Sequence, residues 1–329
     1  MYKLSGIKTT PSGVLLLSKF SGITSFSSLG AVKKVFRTGK VGHTGTLDSF
    51  AEGLLVVLVG KLTRLAPFIT ATDKTYQAVV RFGVETDTLE ITGKETARGV
   101  IPSRQQLEEV LSQFVGTISQ RPPEFSALHV GGKRASDLVR EGKSVEMPLR
   151  EVTINSIALK EFCGEYALLE VSCSKGTYIR SLARDISHSL GTCGYLAALR
   201  RTGVGPFVLE QAVFADKMSP FTVDSRGISQ REQIFSEEDY NLIEKSLIEF
   251  TPSFATQCNL SPVTLKNDFL HAFMNGKPLK KNWFINSGGE VYKELPQGYV
   301  AVFSCQGAFV GMIEVDEGRI TYCFVVPSL

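Results

Sequence analysis

Hydrophobic residues in the first two thirds of the chain recur with two different spacings. Residues 13–19 form a short apolar run typical of a buried strand, whereas residues 74–83 alternate as a half-buried strand does. Helical spacing is found over 25–36, 103–116 and 177–191. Because strands and helices follow one another without a regular strand–helix–strand repeat, this pattern predicts an α+β fold.

The pattern changes after about residue 215. Residues 216–254 are acidic and rich in helix-forming residues, and from residue 255 onward short apolar runs alternate with glycine and asparagine turns. Such runs between turn residues are typical of strands in a small β domain. We therefore expect a catalytic or binding body over residues 1–215, an acidic helical connector over 216–254 and a small β domain over 255–329.

Composition narrows the class of protein. No apolar run in the 329 residues reaches the length of a membrane span. The apolar stretch near the start is too short for a secretion signal, so we expect a cytoplasmic protein without membrane contact. The 6 cysteines form no C-x-x-C pair and the 4 histidines lie far apart, which predicts reduced thiols and no bound metal.

The net charge of +3 conceals an uneven distribution along the chain. Residues 1–50 carry seven lysines or arginines against one acidic residue, Asp48, and residues 174–205 carry five against one. Residues 230–250 are acidic instead. A basic surface in the first two thirds of the chain suggests a polyanionic partner, and a solvated charged face is the alternative.

The loop KVGHTGTLDSFAEG, residues 40–53, contains several glycines and a lone aspartate, Asp48, just before an apolar run. An aspartate in such a position is most often a turn former, and Ser49 with Glu52 also fits a helix capping box. Glycines, however, let something large approach the backbone closely, and apolar neighbours predict a poorly hydrated carboxylate. On the loop alone, both interpretations of Asp48 stay open.

Six blocks follow one another in order: GVLLLSKFSGITS, KVGHTGTLDSFAEGLLVVLVGKLTR, KTYQAVVRFGVETDTLEITG, RPPEFSALHVGGKRASDLVREG, SKGTYIRSLARDISHSLG and LRRTGVGPF. In these blocks, which span residues 12–210, the chain resembles the TruB family of pseudouridine synthases. That family isomerises the T-loop uridine of tRNA, uridine 55. GAFVGMIEVDEGRI near the C-terminus is similar to its PUA-like RNA-binding domain. The resemblance implies the pseudouridine synthase fold, with a mixed, largely antiparallel sheet flanked by helices, and a small PUA-like β domain.

The resemblance also implies roles for individual residues. Asp48 matches the catalytic carboxylate, to which attack on C1′, addition to C6 and abstraction of the 2′ proton are all open. Arg180 matches the partner that orients this carboxylate through two parallel donors. Tyr76 matches the tyrosine that stacks on the target base and helps to move a proton, and Tyr178 and Leu199 match the uracil pocket. A phosphate contact for Arg180 and plain core packing for the other three are the alternatives.

Further positions match RNA contacts of the family. His43 matches the residue that fills the space left by the flipped-out uridine. Residues from about 121 to 150 match a mobile thumb over the RNA stem, which contacts phosphate and shape rather than sequence. The basic candidates for RNA contact are Lys40, Arg121, Lys133, Arg134, Arg140 and Lys175.

The chain departs from the family pattern near the candidate site. Ser18 and Phe20 replace the aspartate and proline of an Asp-Lys-Pro motif, Ser49 replaces a proline after Asp48, and Glu52 stands where threonine is usual. None of these changes removes a chemical group that the reaction needs. We expect them to affect loop rigidity and tRNA affinity.

The sequence thus predicts a tRNA pseudouridine synthase, an isomerase that acts on a flipped-out base as a monomer without a protein partner. Substrate and product are isomers, so we expect no cofactor. Three alternatives stay open. They are a non-catalytic RNA-binding or RNA-folding protein of the same fold, a guide-dependent rRNA pseudouridine synthase, and a nucleoside hydrolase in which Glu52 is a second catalytic acid.

Overall fold

The computed structural model describes residues 11–227 and 235–326. The strands are β1 Gly13–Lys19, β2 Val41–His43, β3 Glu52–Val59, β4 Lys74–Phe82, β5 Val84–Thr86, β6 Glu95–Arg98, β7 Gly116–Gln120, β8 His129–Val130, β9 Lys133–Arg134, β10 Arg150–Cys163, β11 Tyr166–Cys173, β12 Gly194–Val204, β13 Phe207–Val208, β14 Ser261–Leu265, β15 Phe284–Ile285, β16 Gly298–Ser304, β17 Phe309–Asp316 and β18 Arg319–Val325. The α-helices are α1 Gly30–Phe36, α2 Ala66–Thr70, α3 Arg104–Leu111, α4 Ala135–Arg140, α5 Ile179–Ser189, α6 Glu237–Lys245, α7 Pro252–Gln257 and α8 Asn267–Met274. The first and last residues of the chain and part of the predicted connector lie outside the described residues.

A nine-stranded sheet forms the centre of the body, in the order β1-β3-β12-β4-β11-β10-β7, with β2 against β3 and β13 against β12. Its strands pair antiparallel except β3 and β12, which are parallel. Strand β1 is buried on both faces, because Leu15 and Leu17 pack toward α1 while Leu16 packs on the opposite side. This mixed, largely antiparallel sheet with flanking helices confirms the predicted α+β fold class.

Local sequence predicts some helix ends and misses others. Helix α1 begins at Gly30 and not near residue 25, because a 3-10 turn, Ser27–Leu29, precedes it, and α3 ends at Leu111 and does not reach Gly116. The Ser103 hydroxyl accepts a hydrogen bond from the Gln106 amide at 3.2 Å, and the Gln106 side chain accepts one from the Ser103 amide at 2.9 Å. This capping box starts α3. Helix α5 ends two residues before Gly191, whose φ of 67° is unfavourable for other residues. The predicted strand over 74–83 is β4.

The second sheet, in the order β15-β14-β16-β17-β18, follows the body. It is joined to the body by a shared hydrophobic cluster in which Phe303 of β16 stacks on Phe250 at 5.9 Å between ring centroids. In the stretch predicted as a connector, Ile248 exchanges two backbone hydrogen bonds of 2.8 Å with Val14. This stretch therefore covers β1, which would otherwise be an open edge strand. No helix within residues 11–227 and 235–326 is long and apolar enough to cross a bilayer.

Residues 121–150 form a small unit between β7 and β10. It contains the hairpin β8–β9 and α4, and a core of its own built on Ala135, Val145 and Met147. Ser181 Oγ and Arg184 Nη2 of α5 both donate to the Arg121 carbonyl, at 2.8 and 2.9 Å. The base of the unit is thus fixed against α5.

Candidate active site

The loop between β2 and β3 is held by the connection between β1 and α1. The Leu47 amide donates to Ser25 Oγ at 2.9 Å, and Ser25 Oγ donates to the Leu47 carbonyl at 3.0 Å. Ser21 Oγ donates to the Phe50 carbonyl at 2.7 Å. The backbone on both sides of Asp48 is therefore fixed, although the loop is rich in glycine.

Lys19, at the end of β1, lies under this loop with its side chain wholly buried. Its Nζ donates to the Ala51 carbonyl at 2.5 Å and to two neighbouring carbonyls at 3.2 Å. Burial lowers the pKa of this ammonium to about 7, against the attraction of Asp48 and Glu52. Lys19 is a structural support of the loop that sequence reasoning did not single out.

Gly53 is required by the sheet and not by a ligand. Its φ is 111°, and a Cβ at this position would lie 2.3 Å from the carbonyl oxygen of Arg201. Here β3 and β12 pair in parallel, with Gly53 beside Arg201. For this glycine, the expectation of close approach by a large partner is wrong, because the close neighbour is β12.

Asp48 and Arg180 form an ion pair between the loop and the first turn of α5. Arg180 Nε lies 2.9 Å from Asp48 Oδ2, and Arg180 Nη2 donates to Asp48 Oδ1 at 3.1 Å. One edge of the guanidinium therefore faces both carboxylate oxygens, but only Nη2 forms a hydrogen bond and Nε contributes charge attraction, so the expected pair of parallel donors is not formed. The side chain of Arg180 is 5% exposed and that of Asp48 is 37% exposed, so the expectation of a poorly hydrated carboxylate is wrong. The arginine is buried, and the carboxylate is open to solvent.

The remaining hydrogen bonds of Arg180 join further segments to this pair. Nη1 donates to the Thr88 carbonyl and Nη2 to the Phe125 carbonyl, both at 3.0 Å. Thr88 follows β5, and Phe125 lies at the base of the 121–150 unit. One buried side chain thus connects α5, the Asp48 loop and that unit.

A cavity of about 310 Å³ lies beside the ion pair. Tyr76 of β4, Tyr178 just before α5 and Leu199 of β12 line it together with Asp48 and Arg180. The structure therefore brings the three predicted catalytic residues and both predicted pocket residues to one place. Among the described residues of the cavity wall, Asp48 is the sole acidic one. The basic residues of the wall are Lys74, Lys175, Arg180 and Arg201.

Tyr178 is positioned by Gln120, a residue that the sequence does not single out. Gln120 Oε1 accepts from the Tyr178 amide at 2.8 Å, and Gln120 Nε2 donates to the Tyr178 carbonyl at 3.2 Å. Burial raises the pKa of the Tyr178 phenol. The phenol is therefore protonated at neutral pH and able to donate.

His43 ends β2 and lies outside the described wall of the cavity. Burial lowers the pKa of its imidazole, and the nearby Arg201 lowers it further. The ring is consequently neutral at pH 7, which suits stacking on a base better than pairing with a phosphate.

All six basic residues predicted to contact RNA are exposed. Lys175 lies in the cavity wall. Arg121 donates to the Met147 carbonyl at 3.0 Å, and Arg140 lies 3.4 Å from Asp137, so these two also have partners within the chain. The other three exposed candidates for RNA contact are Lys40, Lys133 and Arg134.

Glu52 starts β3, so the capping-box interpretation of Ser49 and Glu52 is wrong. Arg200 Nε donates to Glu52 Oε1 at 2.7 Å, and Arg200 Nη2 contacts the same oxygen. Both residues line a separate cavity of about 270 Å³ that does not contain Asp48. Glu52 is therefore bound to an arginine and lies outside the cavity of Asp48.

Comparison with known proteins identifies the family. A sequence profile described as "TruB family pseudouridylate synthase (N terminal domain)" matches residues 33–179, which include Asp48 and Tyr76. A tRNA pseudouridine synthase B from Treponema denticola is 40% identical over 96% of this chain and 98% of its own length. The chain belongs to the TruB family.

Other relatives agree with this membership, and a solved structure shares the fold. A tRNA pseudouridine synthase B from Treponema pallidum is 33% identical over 95% of this chain and 96% of its own length. The corresponding protein of Borreliella burgdorferi is 42% identical over 71% of this chain and 85% of its own length. A chain of a Cbf5–Nop10–Gar1 complex shares the fold, with a TM-score of 0.65 at 23% identity over 96% of this chain and 87% of that chain.

Three buried basic residues support or line the candidate site, and none is a sequence-based candidate. Lys19, Lys74 and Arg201 are 0%, 6% and 1% exposed. Burial lowers the pKa of Lys74 to about 8. Lys74 and Tyr76 are two residues apart in a strand and therefore share a face, which is the sequence pattern that would have found Lys74. From the sequence alone, Lys19 and Arg201 would be assigned to the surface, because the burial of their strands depends on the fold.

The pKa of Lys19 leads to a testable pH dependence of stability. Between pH 7 and 10.5 the unfolded chain holds a proton that the folded chain has released, so raising the pH stabilises the fold. We expect the free energy of unfolding of the wild type, relative to Lys19→Met, to rise by about 2 kcal/mol from pH 7.5 to 9.5. Urea unfolding at the two pH values measures it.

Lys40→Met is the matched control, because this lysine is exposed. Its difference from the wild type should not change with pH. The same constant difference for Lys19→Met would show that Lys19 has an ordinary pKa in the folded protein.

Proposed function

We propose that this protein isomerises the T-loop uridine of tRNA to pseudouridine, with Asp48 as the catalytic carboxylate. The observation that carries the proposal is a single carboxylate, oriented by the buried Arg180, at a cavity lined by Tyr76 and Tyr178. The tRNA pseudouridine synthase B of Treponema denticola, 40% identical along the chain, supports tRNA as the substrate.

The chemistry explains why one carboxylate is enough. The reaction breaks the N1–C1′ bond, turns the base and joins C5 to C1′, so no group is transferred to or from a second substrate. Asp48 acts at the sugar as nucleophile or as charge stabiliser. Its open position allows contact with the ribose, while the Nη2 hydrogen bond and the charge of Arg180 keep its direction.

The cavity supports retention of the detached base. A uridine must be flipped out of its RNA stack to reach Asp48. Tyr76 offers an aromatic face to the base, and Tyr178 and Leu199 close the wall around it. Exclusion of water matters here, because a uracil detached beside a reactive sugar is otherwise lost to hydrolysis.

The outer surface supports binding of an RNA backbone. Lys175 at the cavity and the exposed Lys133 and Arg134 of the 121–150 unit provide positive charge for phosphates. The neutral ring of His43 suits the space left by the flipped base. The 121–150 unit favours an enzyme that binds tRNA without a guide RNA, and we expect it to act in the cytoplasm as a monomer without cofactor or protein partner.

The other candidate functions have less support. A typical glycosidase needs two carboxylates that flank the bond, and Glu52 is paired with Arg200 outside the cavity. A protein that only binds RNA has no need of a carboxylate oriented toward the cavity by a buried arginine.

Asp48→Asn tests the catalytic role directly. The substitution preserves volume and removes charge, so we expect folding and tRNA affinity to be kept while turnover falls at least about a hundredfold. Turnover is measured as release of tritium from C5 of uridine in an unmodified tRNA transcript, since pseudouridine formation replaces the C5–H bond. Turnover above about a hundredth of the wild-type value would exclude Asp48 as the essential group.

Arg180→Lys tests the orienting role. Lysine keeps the charge but cannot bond the Asp48 carboxylate together with the carbonyls of Thr88 and Phe125 from one planar group. We expect the single-turnover rate at saturating tRNA to fall at least about tenfold and tRNA affinity to change less than about threefold.

Arg184→Lys is the matched control on the same helix, because Arg184 also donates to a carbonyl of the 121–150 unit but pairs with Asp185 in place of Asp48 and lies outside the cavity wall. Its single-turnover rate should stay near that of the wild type. If Arg180→Lys instead weakens tRNA binding with an unchanged rate at saturation, Arg180 is a phosphate contact.

A further inference from the structure

Arg201 on β12 is a wholly buried arginine, 1% exposed, that the sequence analysis and the proposed mechanism leave without a role. Its Nε donates to the Leu54 carbonyl at 2.9 Å and its Nη2 to the Gly45 carbonyl at 3.1 Å. Within the described part of the chain, no carboxylate forms an ion pair with it. A buried cation without a counter-ion is costly, so this position demands a function that an apolar residue cannot provide.

The side chain that meets the guanidinium is Tyr76. Arg201 and Tyr76 are directly opposite each other in the antiparallel pairing of β12 with β4. Both side chains line the cavity of Asp48, and the positive charge of Arg201 lowers the pKa of the Tyr76 phenol. A guanidinium carries donors and a positive charge but no acceptor, so it favours the phenolate form of a neighbouring tyrosine.

Resting on the proposed function, we infer that Arg201 is a positioning residue that acts on the isomerisation through Tyr76. It stabilises the phenolate of Tyr76 while this side chain moves a proton from C5 to N1 of the uracil ring. Two nitrogens of Arg201, Nε and Nη2, donate to backbone carbonyls, which hold the guanidinium in place opposite Tyr76.

The step neither takes up nor releases a proton overall. When C5 has bonded to C1′, it still carries its hydrogen, and the ring holds an N1=C6 double bond. The Tyr76 hydroxyl gives its proton to the lone pair of N1. The phenolate then takes the C5 proton, the C5–H pair forms the C5=C6 double bond, and the pair of the N1=C6 bond returns to N1 at the same time. Tyr76 ends the step protonated, so no further acid, base or oxidant is required.

The charges around Tyr76 explain why Arg201 is needed. The groups that face the phenol are Arg201 from β12, Cys173 from β11 and Asp48 from the loop. Burial, Cys173 and Asp48 all raise the pKa of Tyr76, and Arg201 is the group that lowers it. Loss of the guanidinium would therefore disfavour the phenolate that the proton transfer passes through.

The test replaces Arg201 and then restores the acidity of Tyr76 by other means. Arg201→Lys should slow single-turnover release of C5 tritium at saturating tRNA at least about tenfold, with tRNA affinity changed less than about threefold. Incorporation of 3,5-difluorotyrosine at position 76 makes the phenol more acidic. In the Arg201→Lys protein, this replacement should raise the single-turnover rate at least about threefold.

Arg200→Lys is the matched control, since Arg200 is the preceding residue of β12 but binds Glu52 outside the cavity. Difluorotyrosine should not accelerate this variant. If Arg201→Lys fails to fold, Arg201→Gln is used with the same expectation of recovery.

A purely structural role of Arg201 predicts that difluorotyrosine gives no recovery, and this result would overturn the inference. Equal recovery in the Arg201 and Arg200 variants would also overturn it. Absence of tritium release from the wild-type protein with tRNA would instead contradict the proposed function, so the two failures are distinguishable.

Discussion

The ion pair between Asp48 and Arg180 is the interaction on which the candidate site depends. Each partner is fixed independently: Ser25 and Lys19 hold the loop, and the carbonyls of Thr88 and Phe125 hold the guanidinium. Because the arginine is buried and the carboxylate is not, the cost of desolvation falls on the group that does not have to reach the substrate. The carboxylate is thus directed without being enclosed.

Positive charge exceeds negative charge around the cavity. One acidic residue faces four basic ones, and three of these basic residues, Lys74, Arg180 and Arg201, are buried. In a protein interior such an excess is tolerated when anions occupy the site. RNA supplies phosphates, and the breaking of the N1–C1′ bond leaves negative charge on uracil. The arrangement suits stabilisation of charge that develops during the reaction.

Sequence predicted the parts of the site that depend on local chemistry. The glycine-rich loop pointed to Asp48, and the ordered blocks pointed to Arg180 and Tyr76, which the structure places around one cavity. Strand β12 was beyond such reasoning, because GYLAALRRTGV holds two arginines and two glycines, and its burial depends on pairing with β3 and β4, which are distant in sequence. The burial of Lys19 and Arg201 could not be predicted for the same reason. The exposure of Asp48 is set by the shape of the cavity, which no local pattern encodes.

The most direct test of the account is the position of modification in tRNA. Purified protein is incubated with an unmodified tRNA transcript alone, and pseudouridine is mapped by carbodiimide-dependent primer extension. A transcript with cytidine in place of the T-loop uridine is the control. The account predicts one new stop, at the T-loop uridine, without a guide RNA or cofactor, and none in the control. Modification only when a guide RNA is added, or no modification by folded protein that binds the transcript, would contradict it.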